Sequence, residues 1–329
     1  MKQFVKTSVA TAVVLGATLA ASGAFASVAG SIVNTRHNMG SEGQGPNTAS
    51  AADTAEICIF CHTPHGGDTD APVPLWNKQL TDPTLFTLYD QLGTSTLDAA
   101  VGQVGSVSLA CLTCHDGTQA IDNIINAPGS GGYNPDGGGV DGLGWVWNSG
   151  DNTLNAAGQL IDSVDVPGGT NIWAIGTDLT NDHPVSVQYA GGGYSAASPT
   201  GGHFADALGL TRDQDFAPAI QIGTGARWYV DNTLVVAPGE SAIGSFDKWD
   251  FKLYTRDTSL EPVRPDGGPA FAGQDEPFVE CGSCHDPHFQ TTTFLRMDGL
   301  VDLGGANAPP AGSDMSNSGS RVCLVCHTK

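Results

Sequence analysis

The sequence predicts a fold that is mostly coil, with short helices and a few β-hairpins. The 329 residues include 44 glycines and only 14% charged residues, a composition that favours turns and loops over long regular elements. All eight cysteines stand in four C-x-x-C-H motifs, at Cys58–His62, Cys111–His115, Cys281–His285 and Cys323–His327. We expect a short helix at each motif and β-hairpins in the long stretch between the second and third.

The chain begins with the pattern of a secretory signal peptide over residues 1–26. Lys2 and Lys6 precede an apolar run, and Ala24-Phe25-Ala26 predicts cleavage after residue 26. The apolar run is short for a membrane span, and no second run approaches that length. We therefore expect a protein without membrane insertion that passes through the periplasm and functions at the cell surface or outside the cell.

The charge of the chain is strongly negative. The formal charge is −21, and loss of Lys2 and Lys6 with the signal peptide would make it −23. A nucleic acid is therefore not an expected partner. The simplest effect of this acidity is to keep an exported protein soluble.

Residues 27–329 are predicted to form one domain with four segments. Residues 27–56 are small and polar and are interpreted as an extended N-terminal arm. Residues 57–117 and 280–329 each hold two motifs, and the first motif of each has the form C-x-x-C-H-x-P-H. These two halves flank an insert, residues 118–279. No cysteine occurs from Asp116 to Glu280.

Local patterns predict a few regular elements within these segments. Thr84 to Leu97 is the best helix candidate between the first two motifs. Residues 129–144 are rich in glycine and predict a loop. Short strands are predicted at Arg227–Val230, Thr233–Val236 and Trp249–Tyr254, which carry β-branched and aromatic residues.

The four motifs have the spacing needed for covalent haem attachment. In C-x-x-C-H, two thiols add to the vinyl groups of a haem, and the next histidine binds the iron. Two zinc sites or four disulfides are the alternatives, but neither explains the histidine after every second cysteine. The sequence therefore predicts four haem c groups per chain. The thioether residues would be Cys58, Cys61, Cys111, Cys114, Cys281, Cys284, Cys323 and Cys326, with His62, His115, His285 and His327 as proximal ligands.

The other histidines can supply the second axial ligands. Nine histidines are present, so five remain for four positions: His37, His65, His183, His203 and His288. His65 and His288 follow a proximal ligand by three residues and cannot pass around its porphyrin, so each is expected to reach an adjacent haem. Pairing within each half is the preferred arrangement. His37 and His183 complete the set, and His203 is interpreted as the spare.

Six short elements follow one another in an order that is typical of one protein family. They are Arg36-His37-Asn38, Cys58–His65, Cys111–Gly117, Asn181–Ser186, Cys281–His288 and Cys323–His327. With these elements the chain resembles the extracellular multihaem c-type cytochromes of metal-respiring microbes, especially the tetrahaem members that polymerise into haem nanowires. The elements span nearly all of residues 27–329. His203 has no counterpart in this resemblance, and the glycine-rich insert is interpreted as a feature of this chain.

The resemblance implies a multihaem cytochrome c fold wrapped around a continuous haem stack. It implies bis-histidine ligation with His37, His65, His183 and His288 as distal ligands. It also implies a homopolymer in which one axial histidine comes from a neighbouring subunit. His37 is the best candidate for that histidine, because a polar arm with few apolar residues can dock on another protomer at little cost to its own fold.

Two functions are compatible with this cofactor set. The first is electron transfer to external acceptors, with other redox proteins as partners and no catalytic residue. The alternative is a multihaem reductase of a small oxyanion or nitrogen compound, which requires a haem with an open distal position. Every motif ends in histidine and the remaining histidines exceed the need, so electron transfer is favoured.

Overall fold

The computed structural model describes about half of the chain, including all four motifs. The described residues are 32–43, 45–93, 97, 99–128, 142–149, 153–161, 173–182, 184–192, 213, 215–222, 227–232, 246–257, 275–290, 294–296 and 321–328. The predicted signal peptide, most of the glycine-rich loop, the predicted strand Thr233–Val236, and His183 and His203 lie outside them.

A short helical segment lies at each of the four motifs. The first motif begins in a 3-10 helix, Cys58–Phe60. The other three lie in helices α1 (Ser106–His115), α2 (Cys281–Cys284) and α3 (Arg321–Cys326). In motifs one, three and four the amide of the histidine donates to the carbonyl of the first cysteine, over 2.7, 2.9 and 2.8 Å. Residues three and four apart share one face of such a turn, so both thiols and the imidazole lie on the same side.

The strands form one five-stranded and one two-stranded antiparallel sheet. The larger sheet has the order β3-β7-β6-β5-β4. Its strands are β3 (Val187–Gln188), β4 (Ile220–Gln221), β5 (Trp228–Val230), β6 (Phe251–Asp257) and β7 (Asp275–Val279). Strands β5 and β6 fall in two of the segments where strands were predicted. Strand β7 leads through Glu280 directly into α2, so this sheet positions the third motif.

The N-terminal segment is not the extended arm that the sequence predicted. Its strand β1 (Asn47–Ala49) pairs with β2 (Trp147–Ser149), and Ala49 is opposite Trp147. Met39 and Ala49 are 7% and 0% exposed and pack in a cluster with Phe60. Met39 and Ala49 are thus buried against other parts of the same chain, and backbone pairing supplies further contacts.

The predicted helix Thr84–Leu97 is also corrected. Two 3-10 turns, Pro83–Leu85 and Tyr89–Leu92, occupy the segment. Asp82 caps the first turn, because its Oδ1 accepts from the amide of Thr84 at 2.9 Å. Between the turns Phe86 and Leu88 are buried in a cluster with α1, and burying both favours an extended link over one continuous helix.

In the described part of the chain the buried apolar residues form three clusters, and each cluster touches at least one motif. The first surrounds α1 and includes Cys281 at its edge; the second lies on the sheet and includes Cys284 and Cys326; the third contains the N-terminal segment and Cys61. These four motif cysteines therefore lie at the edges of the apolar clusters. Among the described residues, no helix has both the length and the apolarity to cross a lipid bilayer.

Candidate haem-binding site

The four motifs lie beside one another in chain order. Burial, with Cys114 nearby, raises the pKa of Cys61 to about 12. A thiol hydrogen bond with Cys281 raises the pKa of Cys111. Burial, with Cys281 and a fourth-motif thiol nearby, raises the pKa of Cys284 to about 12. No disulfide joins any of the eight cysteines, all of which are described. These effects place the first motif near the second, the second near the third and the third near the fourth.

A buried polar network fixes the third motif against the second. The hydroxyl of Ser108 in α1 donates to Glu280 Oε2 at 2.5 Å and accepts from the amide of Cys281 at 2.9 Å. Arg256 Nη1 donates to Glu280 Oε1 at 3.1 Å, and Glu280 and Ser283 form a capping box at the start of α2. Burial raises the pKa of Glu280 to about 7, although Arg256 opposes the shift.

The imidazole of His62 has a fixed tautomer. Its Nδ1 lies 2.8 Å from the carbonyl oxygen of Pro74, and a carbonyl can only accept, so Nδ1 carries the proton. The ring packs edge-on against Trp76 with centroids 6.1 Å apart. In the neutral ring, Nε2 then keeps its lone pair for a metal. A hydrogen bond of this kind usually accompanies histidine ligation and orients the ring.

His115 is arranged in the same way. Its Nδ1 donates to the carbonyl of Trp173 at 2.8 Å, a residue that follows it by 58 positions. Burial lowers the pKa of His115, against the opposing effects of Trp173 and Asp116. The neutral ring therefore presents Nε2 as a ligand atom.

His288 has a carboxylate in place of the carbonyl. Its Nδ1 lies 2.9 Å from Asp286 Oδ1, and Arg296 Nη2 lies 3.3 Å from Asp286 Oδ2. The hydrogen bond with Asp286 raises the pKa of His288. Carboxylate–histidine pairs are a common support for metal ligands because they hold the ring and increase its basicity.

Two pairs of imidazoles face one another across a gap that suits one iron. His62 and His288 have ring centroids 6.5 Å apart with an interplanar angle of 14°. His115 and His37 have centroids 6.1 Å apart at 73°. Two rings bound to opposite sides of a metal have centroids about 6 Å apart, since each metal–nitrogen bond is about 2 Å long. This arrangement differs from the expected pairing within each half, because His288 of the second half lies beside His62 of the first.

His37 occupies an enclosed position within its own chain. Its ring stacks on Phe294 with centroids 4.2 Å apart at 12°, and its Nδ1 is buried without a hydrogen-bond partner. Burial, followed by the nearby His115, lowers the pKa of His37 to about 4. The imidazole therefore stays neutral near pH 7. Its position beside His115 of the same chain does not require the arm exchange that the sequence suggested.

Among the described residues, neither His65 nor His327 faces a second imidazole. His65 is exposed, and its backbone carbonyl accepts from Asn126 Nδ2 at 2.8 Å. His327 packs on Phe216 with ring centroids 4.2 Å apart. His285 lies close enough to His37 to contribute to its low pKa. His183 and His203 lie outside the described residues.

Sequence reasoning missed the residues that support the ligands. The partners of His62 and His115 are backbone carbonyls, which have no sequence signature. Asp286 was detectable, because it stands two residues before His288 in a turn. Glu280 also had a signal, since it is an acidic residue between an apolar strand and a cysteine motif.

The donor set fits a covalently bound haem. Each motif presents two thiols and a histidine on one helical turn, and two of the proximal histidines face a second imidazole. Within the described ranges, no three histidine, cysteine or acidic side chains are grouped so that they alone could hold a metal ion. Neither a protein-family model nor a curated protein matches the sequence.

Proposed function

We propose that this chain is an electron-transfer protein that carries four covalently bound c-type haems with bis-histidine ligation. The observation that supports this most strongly is the facing of His62 with His288 and of His115 with His37, at centroid distances of 6.5 and 6.1 Å. When bound, haem supplies a reversible one-electron change between iron(III) and iron(II). The protein supplies spacing, ligation and insulation.

Two ligand faces filled by histidine favour a carrier over a reductase. A reductase needs a position on the iron where its substrate can bind. The two facing pairs would fill both ligand positions of their irons with side chains whose rings are held by hydrogen bonds or stacking. Electron transfer between cofactors needs no such opening.

The row of motifs favours conduction along the molecule. Thiols of neighbouring motifs lie near one another: Cys61 and Cys114, Cys111 and Cys281, and Cys284 and Cys326. Cofactors attached at these thiols would follow the same order. His285 and His288 serve different irons in this proposal, so the second half of the chain is tied to the first haem as well as to the third.

We extend the proposal to an extracellular homopolymer with one axial histidine donated between subunits. His65 is favoured as that histidine because it is exposed, whereas His37 lies against His115 of its own chain. Electrons would enter from another redox protein and leave to an external acceptor.

The ligand assignments are tested with His288→Ala and His37→Ala in the haem-loaded protein. We expect the native protein to carry four haems per chain by mass and to bind no carbon monoxide rapidly. Each variant should open one haem, so about a quarter of the Soret absorbance should respond to carbon monoxide. His203→Ala is the control and should leave the spectrum unchanged.

Three outcomes would contradict the proposal. If the native protein carried no covalent haem, the motifs would instead be interpreted as zinc sites or disulfides. Rapid carbon monoxide or nitrite binding by the native protein would favour the reductase. An unchanged low-spin spectrum in both variants would reject the two ligand pairs while leaving the haem count intact.

A further inference from the structure

Lys78 is a buried cation between the first two motifs. Its side chain is 0% exposed. The ammonium donates to the carbonyl oxygens of Ala120, Ile121 and Asn123 at 3.1, 3.1 and 2.9 Å. An ammonium has three donors and no acceptor, so every proton of Lys78 is engaged and no lone pair is left to bind iron.

This charge is solvated by dipoles and not neutralised by an acid. In the described part of the chain, Arg256 pairs with Glu280 and Arg296 with Asp286, but no ion pair involves Lys78. Burying an unpaired charge is costly. A neutral amide side chain could also donate hydrogen bonds to the carbonyl oxygens of this loop. Those hydrogen bonds alone therefore do not account for a charged residue at this position.

The ammonium lies beside the attachment point of the first haem. The amide of Asn77, the preceding residue, donates to the carbonyl of Cys61 at 2.9 Å. The ammonium is also close enough to the sulfur of Cys61 for its charge to act there. A haem joined to Cys61 by a thioether would be bonded to this sulfur and would therefore experience the electric field of the same ammonium.

We infer that Lys78 raises the reduction potential of the haem attached to Cys58 and Cys61, and so biases where electrons reside along the row of haems. The inference rests on the proposed function. Iron(III) haem carries one more positive charge than iron(II) haem, so a fixed cation nearby destabilises the oxidised state. The effect is strengthened because the ammonium is buried and makes no ion pair with a described residue.

The inference is tested by spectroelectrochemical titration of the haem-loaded Lys78→Met protein. One of the four midpoint potentials should fall, with a roughly tenfold change in its reduction equilibrium, which is about 59 mV for a one-electron couple. The other three should move much less. Lys248→Met removes an exposed charge and should leave all four potentials in place, because solvent screens such a charge.

Two more variants separate the effect of the Lys78 charge from the effect of its hydrogen bonds. Lys78→Gln keeps donors for the carbonyl cage and should lower the same potential, whereas Lys78→Arg keeps the charge and should restore it. If Lys78→Met does not fold, the glutamine variant decides. Four intact low-spin haems with unchanged potentials in Lys78→Gln would overturn the inference and leave the proposed function standing. Absence of haem from the native protein would overturn the proposed function itself.

Discussion

Each supported histidine in this protein has one ring nitrogen committed to the protein. For His62 and His115 the acceptor is a backbone carbonyl, and for His288 it is the carboxylate of Asp286. A carboxylate increases the basicity of a ligand more than a carbonyl does, because it carries a full negative charge. The two ends of the His62–His288 pair are therefore electronically different.

Glu280 gives stability a pH dependence whose sign follows from its raised pKa. The pKa rises from 4.5 to about 7 in the fold, so the native state holds a proton that the unfolded chain has released. Its contribution to stability is full below pH 4.5 and is lost as pH rises through 7. The pKa shift corresponds to about 3 kcal/mol as an upper figure.

The measurement is urea unfolding of native and Glu280→Gln protein between pH 4.5 and 8. We expect the free energy of unfolding of the native protein, relative to the variant, to fall across this range. Asp250, whose pKa burial raises to about 6, contributes a similar slope to both proteins and cancels in the difference. Parallel pH profiles would show that Glu280 does not titrate in this window.

At the level of single residues, the placement of two thiols and a histidine on one turn is predictable from the C-x-x-C-H spacing. Their hydrogen-bond partners are not. Pro74 and Trp173 act through backbone carbonyls, 12 and 58 residues from the histidines they hold. Lys78 was equally hidden, because only the folded loop brings the three carbonyls around its ammonium.

Helices α1 and α2 and strand β6 meet at Gly282, within the third motif. A Cβ at this position would collide with the hydroxyl of Tyr254 and approach Val107 Cγ1 to 2.8 Å. Gly282→Ala should therefore push the three elements apart and destabilise the fold by about 1–3 kcal/mol, the usual cost of overpacking.

A double-mutant cycle in chemical denaturation measures this contact. Tyr254→Phe removes the hydroxyl that the new methyl group would meet, so it should recover part of the loss when combined with Gly282→Ala. The two changes should be coupled, since the residues are in contact. Purely additive effects would place the strain of Gly282→Ala elsewhere.

Elements that depend on neighbouring residues were easier to predict from the sequence than elements that depend on residues far along the chain. The turns at the motifs depend on spacing of three and four residues. The predicted helix Thr84–Leu97 failed because Asp82 caps a separate turn and α1 buries Phe86 and Leu88. Strand β1 could not be predicted, because its partner β2 lies about a hundred residues away.

For the whole molecule, assembly should depend on charge and on His65. Chains cleaved after residue 26 would carry a formal charge of −21 − 2 = −23 and would repel one another, and salt screens such repulsion over about 10 Å at 0.1 M. We expect electron micrographs of the native protein to show filaments that lengthen as sodium chloride increases. The His65→Ala protein should remain monomeric with one haem open to carbon monoxide.

Again His203→Ala serves as the control and should assemble normally. If His37 were the donated ligand, His37→Ala would abolish assembly and His65→Ala would not. A native protein that remains monomeric at every salt concentration, with four closed haems, would be a soluble shuttle.

The internal repeat marked His65 and His288 as candidate ligands but could not say where each one points. Sequence adjacency suggested pairing within a half, whereas the contact between α1 and α2 brings the third motif beside the second and carries His288 to His62. That contact depends on Ser108 and Glu280, which lie 172 residues apart, so spacing along the chain was no guide to it.

The facing of His62 and His288 has a consequence for biogenesis. The chain is made from its N-terminus, so in the proposed exported cytochrome Cys58 and Cys61 would reach the export machinery well before residue 288. A haem attached early would hold one histidine and an open face until the last fifth of the polypeptide arrives. During that interval a newly exported chain would expose a reactive iron, and completion of the C-terminal segment would close it.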